Sequence, residues 1–203
     1  MIYLYGASGH GKVVLEIAEV LGIPIAGLID ANPLIRSLLD YPVTTDLPDD
    51  MTAPLILSIG SNRIRKKLAY ELKGRCFKSL IHPGANISKR SAIRDGSVIM
   101  AGVAVNSGAS VGEHCIINTN ASVDHDCNIA DFVHISPNVA LAGDVTIGEG
   151  THVGIGASVI QGINIGKWCT IGAGAVIIRD VPDGATVVGN PGRVIKITET
   201  SIK

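Results

Sequence analysis

The stretch IGEGTHVGIGASVIQGINIGKWCTIGAGAVI, residues 147–177, places an aliphatic side chain at every sixth position. The same phase extends backwards without an insertion. Ile81, Ile87, Ile93, Ile99, Val105, Val111, Ile117, Val123, Ile129, Ile135, Leu141, Ile147, Val153, Val159, Ile165, Ile171 and Ile177 form seventeen consecutive hits. If about a quarter of residues are Ile, Leu or Val, chance gives such a run with a probability on the order of one in ten billion. Four residues after each aliphatic position stands a small or β-branched residue, among them Ala85, Ser91, Ser97, Ala109, Ala121, Ala157 and Ala175. Cys115, Cys127 and Cys169 share this second phase, which reads as compact core filler. A period of six is neither helical nor a simple strand alternation, and a fixed repeat of this kind signals a solenoid. Three six-residue sides close an 18-residue triangular coil, so about five and a half coils fit between Ile81 and Val181, a prism roughly 25 Å tall at the inter-strand spacing.

The chain before Ile81 follows a different rule. Ile2–Tyr5 reads as a strand, and Gly9 to about Leu21 as a helix with Val13, Val14, Ile17 and Val20 on one face. Ile23–Ile29 reads as a second strand that ends in the turn cluster Asp30-Ala31-Asn32-Pro33. Pro54–Ile59 is a third strand, Ser61 or Asn62 caps a helix running to about Lys73, and Cys76–Ile81 is expected to add one more strand. Alternation of strands and helices implies a small parallel sheet covered by helices. The expected organisation is therefore an α/β domain over residues 1–80 and a solenoid domain over 81–203.

Bulk composition narrows the function. A net charge of −1 over 203 residues, with no basic run, argues against a nucleic-acid partner. Aromatic residues make up 3% of the chain while it holds 24 glycines, so the core must be built from small aliphatic side chains. No run of about 18 apolar residues suggests a membrane span, and the N-terminus lacks the basic and apolar segments of a signal peptide. The four cysteines form no C-x-x-C pair, which speaks against a zinc site or disulfide framework and makes a reducing cytoplasm the default.

Two stretches carry candidate chemistry. Residues 6–13, GASGHGKV, follow the first strand; Gly6, Gly11 and Lys12 fit the P-loop spacing, but Val13 stands where a magnesium-binding hydroxyl is required. The dinucleotide spacing G-x-G-x-x-G fails as well, because Gly6 is followed by Ala7-Ser8-Gly9. In the solenoid, Asp124-His125-Asp126 lies at a corner between core positions, and the coil count stacks His125 between Ser107 and Gly143. A histidine off the core phase with a carboxylate neighbour has the parts of a general base near pH 7. A merely solvated corner has the same sequence. His134 and His152 form a second column, with Ile116 and Thr170 on its neighbouring rungs. A zinc site like that of β-helical carbonic anhydrases needs two ligands five apart, and no pair among His114, His125, His134 and His152 has that spacing, so no metal is expected.

Both halves together resemble the sialic-acid O-acetyltransferase/nucleotide-sugar N-acetyltransferase family of hexapeptide-repeat acyltransferases. The resemblance rests on residues 5–13, Gly27–Pro33, Ser58–Arg65, Ile81-His82-Pro83, Asn118–Asp131 and Val188-Gly189-Asn190-Pro191. It implies a Rossmann-like N-terminal domain followed by a left-handed parallel β-helix, and transfer of acetyl from acetyl-CoA to the amine of a nucleotide-linked amino sugar. It further implies that His125 is the base, oriented by Asp126 where relatives often carry Glu. His134 would help hold the acetyl group or substrate, and the Gly143 N–H would bind the thioester carbonyl. Gly6, Gly9 and Gly11 would let the backbone approach the diphosphate, with His10 as a further contact. Asp30 and Asn32 would face the nucleoside, although relatives often have a second Asp where Ala31 stands. Gly60 and Asn62 would form another wall, with Arg65 near the phosphates or on the helix surface. Acetyl-CoA would lie between neighbouring subunits of a homotrimer, along Ile155, Gly156 and Gly172, with Arg179 or Arg193 near its phosphates. Two other readings remain open from sequence: O-acetylation of a sugar hydroxyl such as that of a sialic acid, and a non-catalytic trimer that binds sugar nucleotides.

Overall fold

The computed structural model describes residues 1–48 and 53–199. The N-terminal part is a five-stranded sheet built from β1 (Ile2–Tyr5), β2 (Ile25–Ile29), β3 (Ser37–Leu38), β4 (Tyr41–Thr44) and β5 (Leu55–Leu57). Their order is β3-β4-β2-β1-β5, parallel except for the β3–β4 hairpin. The helices α1 (Gly9–Val20) and α2 (Asn62–Glu71) follow β1 and β5. β1 has the expected bounds, and β2 ends at Ile29 as expected but starts at Ile25 rather than Ile23, because the Ile23 N–H bonds Ala18 O at the end of α1.

Two expectations for this part do not hold. Helix α1 buries Gly11, Val14, Leu15, Ile17 and Ala18, while Val13 and Val20 are exposed. At 100° per residue Val13 and Val20 fall on the side opposite Gly11, Leu15 and Ala18, and the latter stripe is the one that packs. The segment Cys76–Ile81 is not a strand of this sheet: Phe77 makes a single bridge to Leu55, and Leu80–Ile81 pairs instead with Val98–Ile99. The six-residue register captures that pair before the N-terminal sheet can.

From Leu80–Ile81 to Val176–Ile177 the chain is a series of two-residue strands six residues apart. They stack as three parallel sheets whose partners are 18 residues apart, as in Ala104↔Ser122 and His134↔His152. The first face carries Val98–Ile99, Ile116–Ile117, His134–Ile135, His152–Val153 and Thr170–Ile171; the second runs from Asn86–Ile87 to Val176–Ile177; the third runs from Ala92–Ile93 to Asn164–Ile165. Each corner turns through one left-handed residue, recurring every six positions from Gly96 to Gly174. Non-glycine residues fill this slot at His114, Asn120, Asp126, Phe132, Asn138, Asp144 and Trp168. A strand Ala185–Val188 extends the first face, and Arg193–Ile197 folds back antiparallel on it.

The aliphatic phase and its small partner phase fill the prism, and Cys115, Cys127 and Cys169 are buried within it. A second apolar cluster joins β1, α1 and β2 to Leu80, Val98, Met100 and Ile116 of the first face. The N-terminal layer therefore covers the lower rungs of that face. The loops after β1 and β5 lie along its middle rungs, where His10 approaches His134 and Asn62 bonds Gly150. No helix among the described residues is long and apolar enough to cross a membrane.

Candidate active site

The corner between the second and third faces holds the candidate base. The His125 ring is largely exposed, and its Nδ1 donates to Asp126 Oδ2 at 2.9 Å. An ionised carboxylate only accepts, so this bond fixes the proton on Nδ1 and leaves the Nε2 lone pair free. Asp126 reaches back to its neighbour because it occupies the left-handed slot, with φ 61°. Asp124 secures the corner from the other side: its Oδ1 accepts from the His125 N–H at 2.7 Å and from Asn106 Nδ2 at 2.7 Å. The Asp126 hydrogen bond, and then the charge of Asp124, raise the His125 pKa above its ordinary 6.5.

The stacking read from the coil count is observed. Asp126 N–H bonds Ser107 O at 3.1 Å, and Asp144 N–H bonds His125 O at 2.9 Å. A Cβ placed on Gly143 would come within 2.5 Å of His125 Cε1 and Nε2, so the ring lies directly against the glycine of the next rung. Asp126→Asn keeps the shape but weakens the bond to Nδ1 and removes the nearby charge. The acid limb of kcat/KM should therefore move to lower pH, with turnover reduced about tenfold or more; a pH–rate profile of the variant against wild type checks this.

The glycine loop after β1 is held by internal contacts. Gly6 has φ 116° and packs against Ser58 O, whose side chain donates to Gly6 O at 2.7 Å. A Cβ on Gly11 would collide with Gly6 O, whereas Gly9 faces open space at the start of α1. Of the three glycines, then, Gly6 and Gly11 are required by the loop's own packing, and Gly9 is the one with free space around it. Asp30 ties this loop to the next: Oδ2 accepts from Ala7 N–H at 2.8 Å and Oδ1 from Asn32 N–H at 2.9 Å. Asn32 in turn closes its own turn by accepting from Leu34 N–H.

Arg65 is not on the helix surface, and it has no N–H donor left for a ligand. It is 1% exposed and spends all five N–H donors inside the protein: on His114 O at 2.7 Å, Ile59 O at 2.8 Å, Gly60 O at 3.3 Å, Asn62 Oδ1 at 2.9 Å and Phe132 O at 3.0 Å. Asn62, also buried, donates to Gly150 O at 3.0 Å. Together they clamp α2 onto the corner between the third and first faces, beside the Lys66–Glu149 ion pair.

Histidines crowd the same seam. His134 stacks on His152 with ring centroids 4.8 Å apart, and His10 lies 6.4 Å from His134. Burial foremost, with the Arg65 charge contributing, lowers His10 and His114 to about 4. Burial, then the charge of His152, lowers His134 to about 3. All three are neutral at pH 7. Asn118 Nδ2 lies 3.2 Å from His134 Nε2, and Ser136 Oγ lies 2.8 Å from His152 Nε2, the same pairing one coil higher. Asn118 Oδ1 accepts from Thr119 N–H, so Nδ2 is the donor and the His134 proton resides on Nδ1. These histidines bind protons in the unfolded chain near 6.5 but not in the fold until far lower pH. Stability is thus fully present above about 6.5 and is lost as pH falls towards 4, by a few kcal/mol. Thermal melts between pH 7 and 4 measure the loss.

The structure groups the candidate residues into three separate places. His125, Asp126 and Gly143 share the edge between the second and third faces. His10, Gly60 and Asn62 meet the first face, the first two beside His134, while Gly6, Gly9, Gly11, Asp30 and Asn32 lie on the adjoining loops after β1 and β2 and the start of α1. Ile155, Gly156 and Gly172 occupy the corners between the first and second faces, with Ile155 exposed and Gly156 in open space. Sequence reasoning passed over Asn118 and Ser136 as partners of the histidine column, although their separation of one coil was available. Among the described residues, no group of three or more His, Cys, Asp and Glu side chains is placed to hold a metal ion.

Comparison with known proteins agrees with this architecture. Residues 1–72 match the family model of the PglD N-terminal domain, and residues 144–179 match the hexapeptide repeat of succinyl-transferase. A histidine variant of GDP-perosamine N-acetyltransferase from Caulobacter crescentus, in complex with CoA and GDP-perosamine, superposes with a TM-score of 0.90 at 37% identity, covering 96% of each chain. The acetyltransferase domain of PglB from Neisseria gonorrhoeae, in complex with acetyl coenzyme A, gives a TM-score of 0.88 at 38% identity, covering 96% of this chain and 98% of that one. WeeI from Acinetobacter baumannii gives 0.88 at 28%, with 96% and 99% covered. An uncharacterized protein of Acanthamoeba polyphaga mimivirus is 30% identical over 109 residues, and the chain spans only 22% of its length. The fold is thus a Rossmann-like α/β layer followed by a left-handed β-helix of hexapeptide repeats. The chain belongs to the nucleotide-sugar acetyltransferase family.

Proposed function

We propose that the chain is an acetyl-CoA-dependent N-acetyltransferase acting on the amine of a nucleotide-linked amino sugar. The observation that carries this reading is the His125 corner: a ring with Nδ1 committed to Asp126, a free Nε2, and a glycine against it. The neutral sugar amine attacks the thioester carbonyl carbon. Nε2 accepts a proton from that nitrogen, and the tetrahedral intermediate collapses by breaking its C–S bond. His125 then returns the proton to the CoA thiolate, leaving an amide and CoA. The Gly143 N–H, which no protein acceptor engages among the described residues, donates to the oxyanion.

A covalent acetyl-enzyme through a core cysteine is disfavoured. Burial pushes the Cys115 thiol up to about 12 and also raises Cys127 and Cys169, so none supplies a thiolate at neutral pH. The amine reading is favoured over sugar O-acetylation because two similar structures at 37% identity carry N-acetyltransferase names and GDP-perosamine. Acetyl-CoA as donor and three cysteines buried without disulfides support a cytoplasmic reaction. Release of CoA thiol should require an amino-sugar nucleotide and fail with sialic acid; thiol release with sialic acid alone would select the O-acetyl alternative.

The three separate groups of site residues support a homotrimer. In this reading the His125 edge of one protomer faces the nucleotide-sugar site of the next, and acetyl-CoA runs along Ile155, Gly156 and Gly172 between them. A carboxylate at the open Gly9 position repels a diphosphate without disturbing the loop, so Gly9→Glu and His125→Ala should each be inactive alone. Co-refolded in equal amounts, they should regain about a quarter of wild-type turnover, because a head-to-tail interface pairs a good base with a good loop at that frequency. No recovery would place both groups in one protomer.

A further inference from the structure

The corner that carries His125 holds three carboxylates, and two of them are spent on its own geometry. Asp126 fixes the ring and Asp124 the backbone. Asp144 is exposed, and its carboxylate enters no ion pair and accepts no hydrogen bond among the described residues. Resting on the reading above, we propose that Asp144 is a specificity-determining residue, whose carboxylate receives the acceptor as an ammonium ion and thereby selects amines over hydroxyls.

The backbone does not require this charge. Asp126 and Asp144 stand in the left-handed slots of successive coils, with φ 61° and 58°. Asparagine takes the same conformation at the corner between the first and second faces, at Asn120 and Asn138, so an amide would serve the turn as well. Among the described residues these two are the only carboxylates in left-handed slots, and both belong to the His125 corner. Their stacking sets like charges on rungs about 4.8 Å apart, which costs stability unless a cation joins them. The column they share runs Arg90, Gly108, Asp126, Asp144 and Gly162, so its one cation stands three coils below Asp144.

Asp144 also stands next to the reacting centre. It directly follows Gly143, against which His125 Nε2 lies, and its N–H bonds the His125 carbonyl at 2.9 Å. Its charge reaches the ring, where it joins the Asp126 hydrogen bond and the Asp124 charge in raising the His125 pKa. An aliphatic amine arrives at pH 7 largely as an ammonium ion, and an unpaired carboxylate at this corner is its natural counter-ion. The ammonium releases one proton to solvent before attack, and His125 then takes the second. A hydroxyl acceptor brings no charge and gains nothing from Asp144.

Asp144→Asn keeps the slot conformation and removes the charge. Calorimetric titrations at pH 7 with GDP-perosamine or UDP-4-amino-4,6-dideoxy-N-acetylglucosamine, whichever the wild-type enzyme acetylates, are paired with titrations of its analogue bearing a hydroxyl in place of the amine. In the variant, affinity for the amine should fall about tenfold. Affinity for the hydroxyl analogue and the KM for acetyl-CoA should stay at wild-type values, and the melting temperature should not fall. Unchanged affinity for the amine overturns the role of Asp144 alone. Equal losses for both ligands overturn it too, and a lower melting temperature would then assign the carboxylate to a contact between copies. A wild-type protein that acetylates neither amino-sugar nucleotide removes the reading above and this inference with it.

Discussion

His125→Ala should lower kcat by two to four orders of magnitude, the range supplied by a positioned general base, while leaving KM for the nucleotide sugar within a few-fold. The ring is 60% exposed and packs into neither apolar cluster, so the melting temperature should stay within about a degree of wild type. The contrast between lost turnover and retained binding and stability is what marks a group acting on the reacting atoms. It also separates His125 from His134, whose ring is packed between His10 and His152. Replacement of His134 should lower stability and activity together. Steady-state kinetics and melts on the two variants distinguish them, and a His125→Ala enzyme with more than a tenth of wild-type kcat would remove it as the base.

The largest stability effect is expected at Arg65. Methionine there fits the aliphatic stem but leaves the carbonyls of His114 and Phe132 without donors in a dry seam, and frees the Ile59–Gly60 turn. Loss of a buried charge-assisted network of this kind should cost about 3 kcal/mol or more, which in a chain of this size lowers Tm by roughly 6 °C or more. Arg65→Lys offers three donors in place of a planar fork of five and should recover less than half of the loss. A methionine variant melting within about 2 °C of wild type would show that the seam is not held by this residue. The effect reaches function, because the Ile59–Gly60 turn that Arg65 holds lies against His134.

The solenoid was legible in the chain because its constraint is arithmetic: every sixth side chain must enter the prism, and every eighteenth residue must stack. That rule alone stacks His125 under Gly143 and His134 under His152. The same rule explains the failure at Cys76–Ile81, where apolarity alone suggested a strand of the first sheet but Leu80–Ile81 already belongs to the six-residue phase. The burial of Arg65 and Asn62 escaped the sequence for a different reason. A cation and an amide at a helix start look solvated or ligand-binding in sequence, and only the docking of α2 onto a specific corner reveals that backbone carbonyls absorb them. The Asp30 carboxylate likewise accepts from Ala7 N–H, 23 residues away in the chain, a tie that no local pattern announces. The β3–β4 hairpin also went unread, because two-residue Ser37–Leu38 carries no period of its own.

The most direct test of the account is the mass of the sugar nucleotide after incubation of the purified protein with acetyl-CoA and either GDP-perosamine or UDP-4-amino-4,6-dideoxy-N-acetylglucosamine. The account predicts the gain of one acetyl group on the amine of an accepted acceptor, and no gain with His125→Ala. An unchanged mass with every amino-sugar nucleotide offered, from a folded protein that still binds one of them, would contradict it and leave a binding protein rather than a transferase.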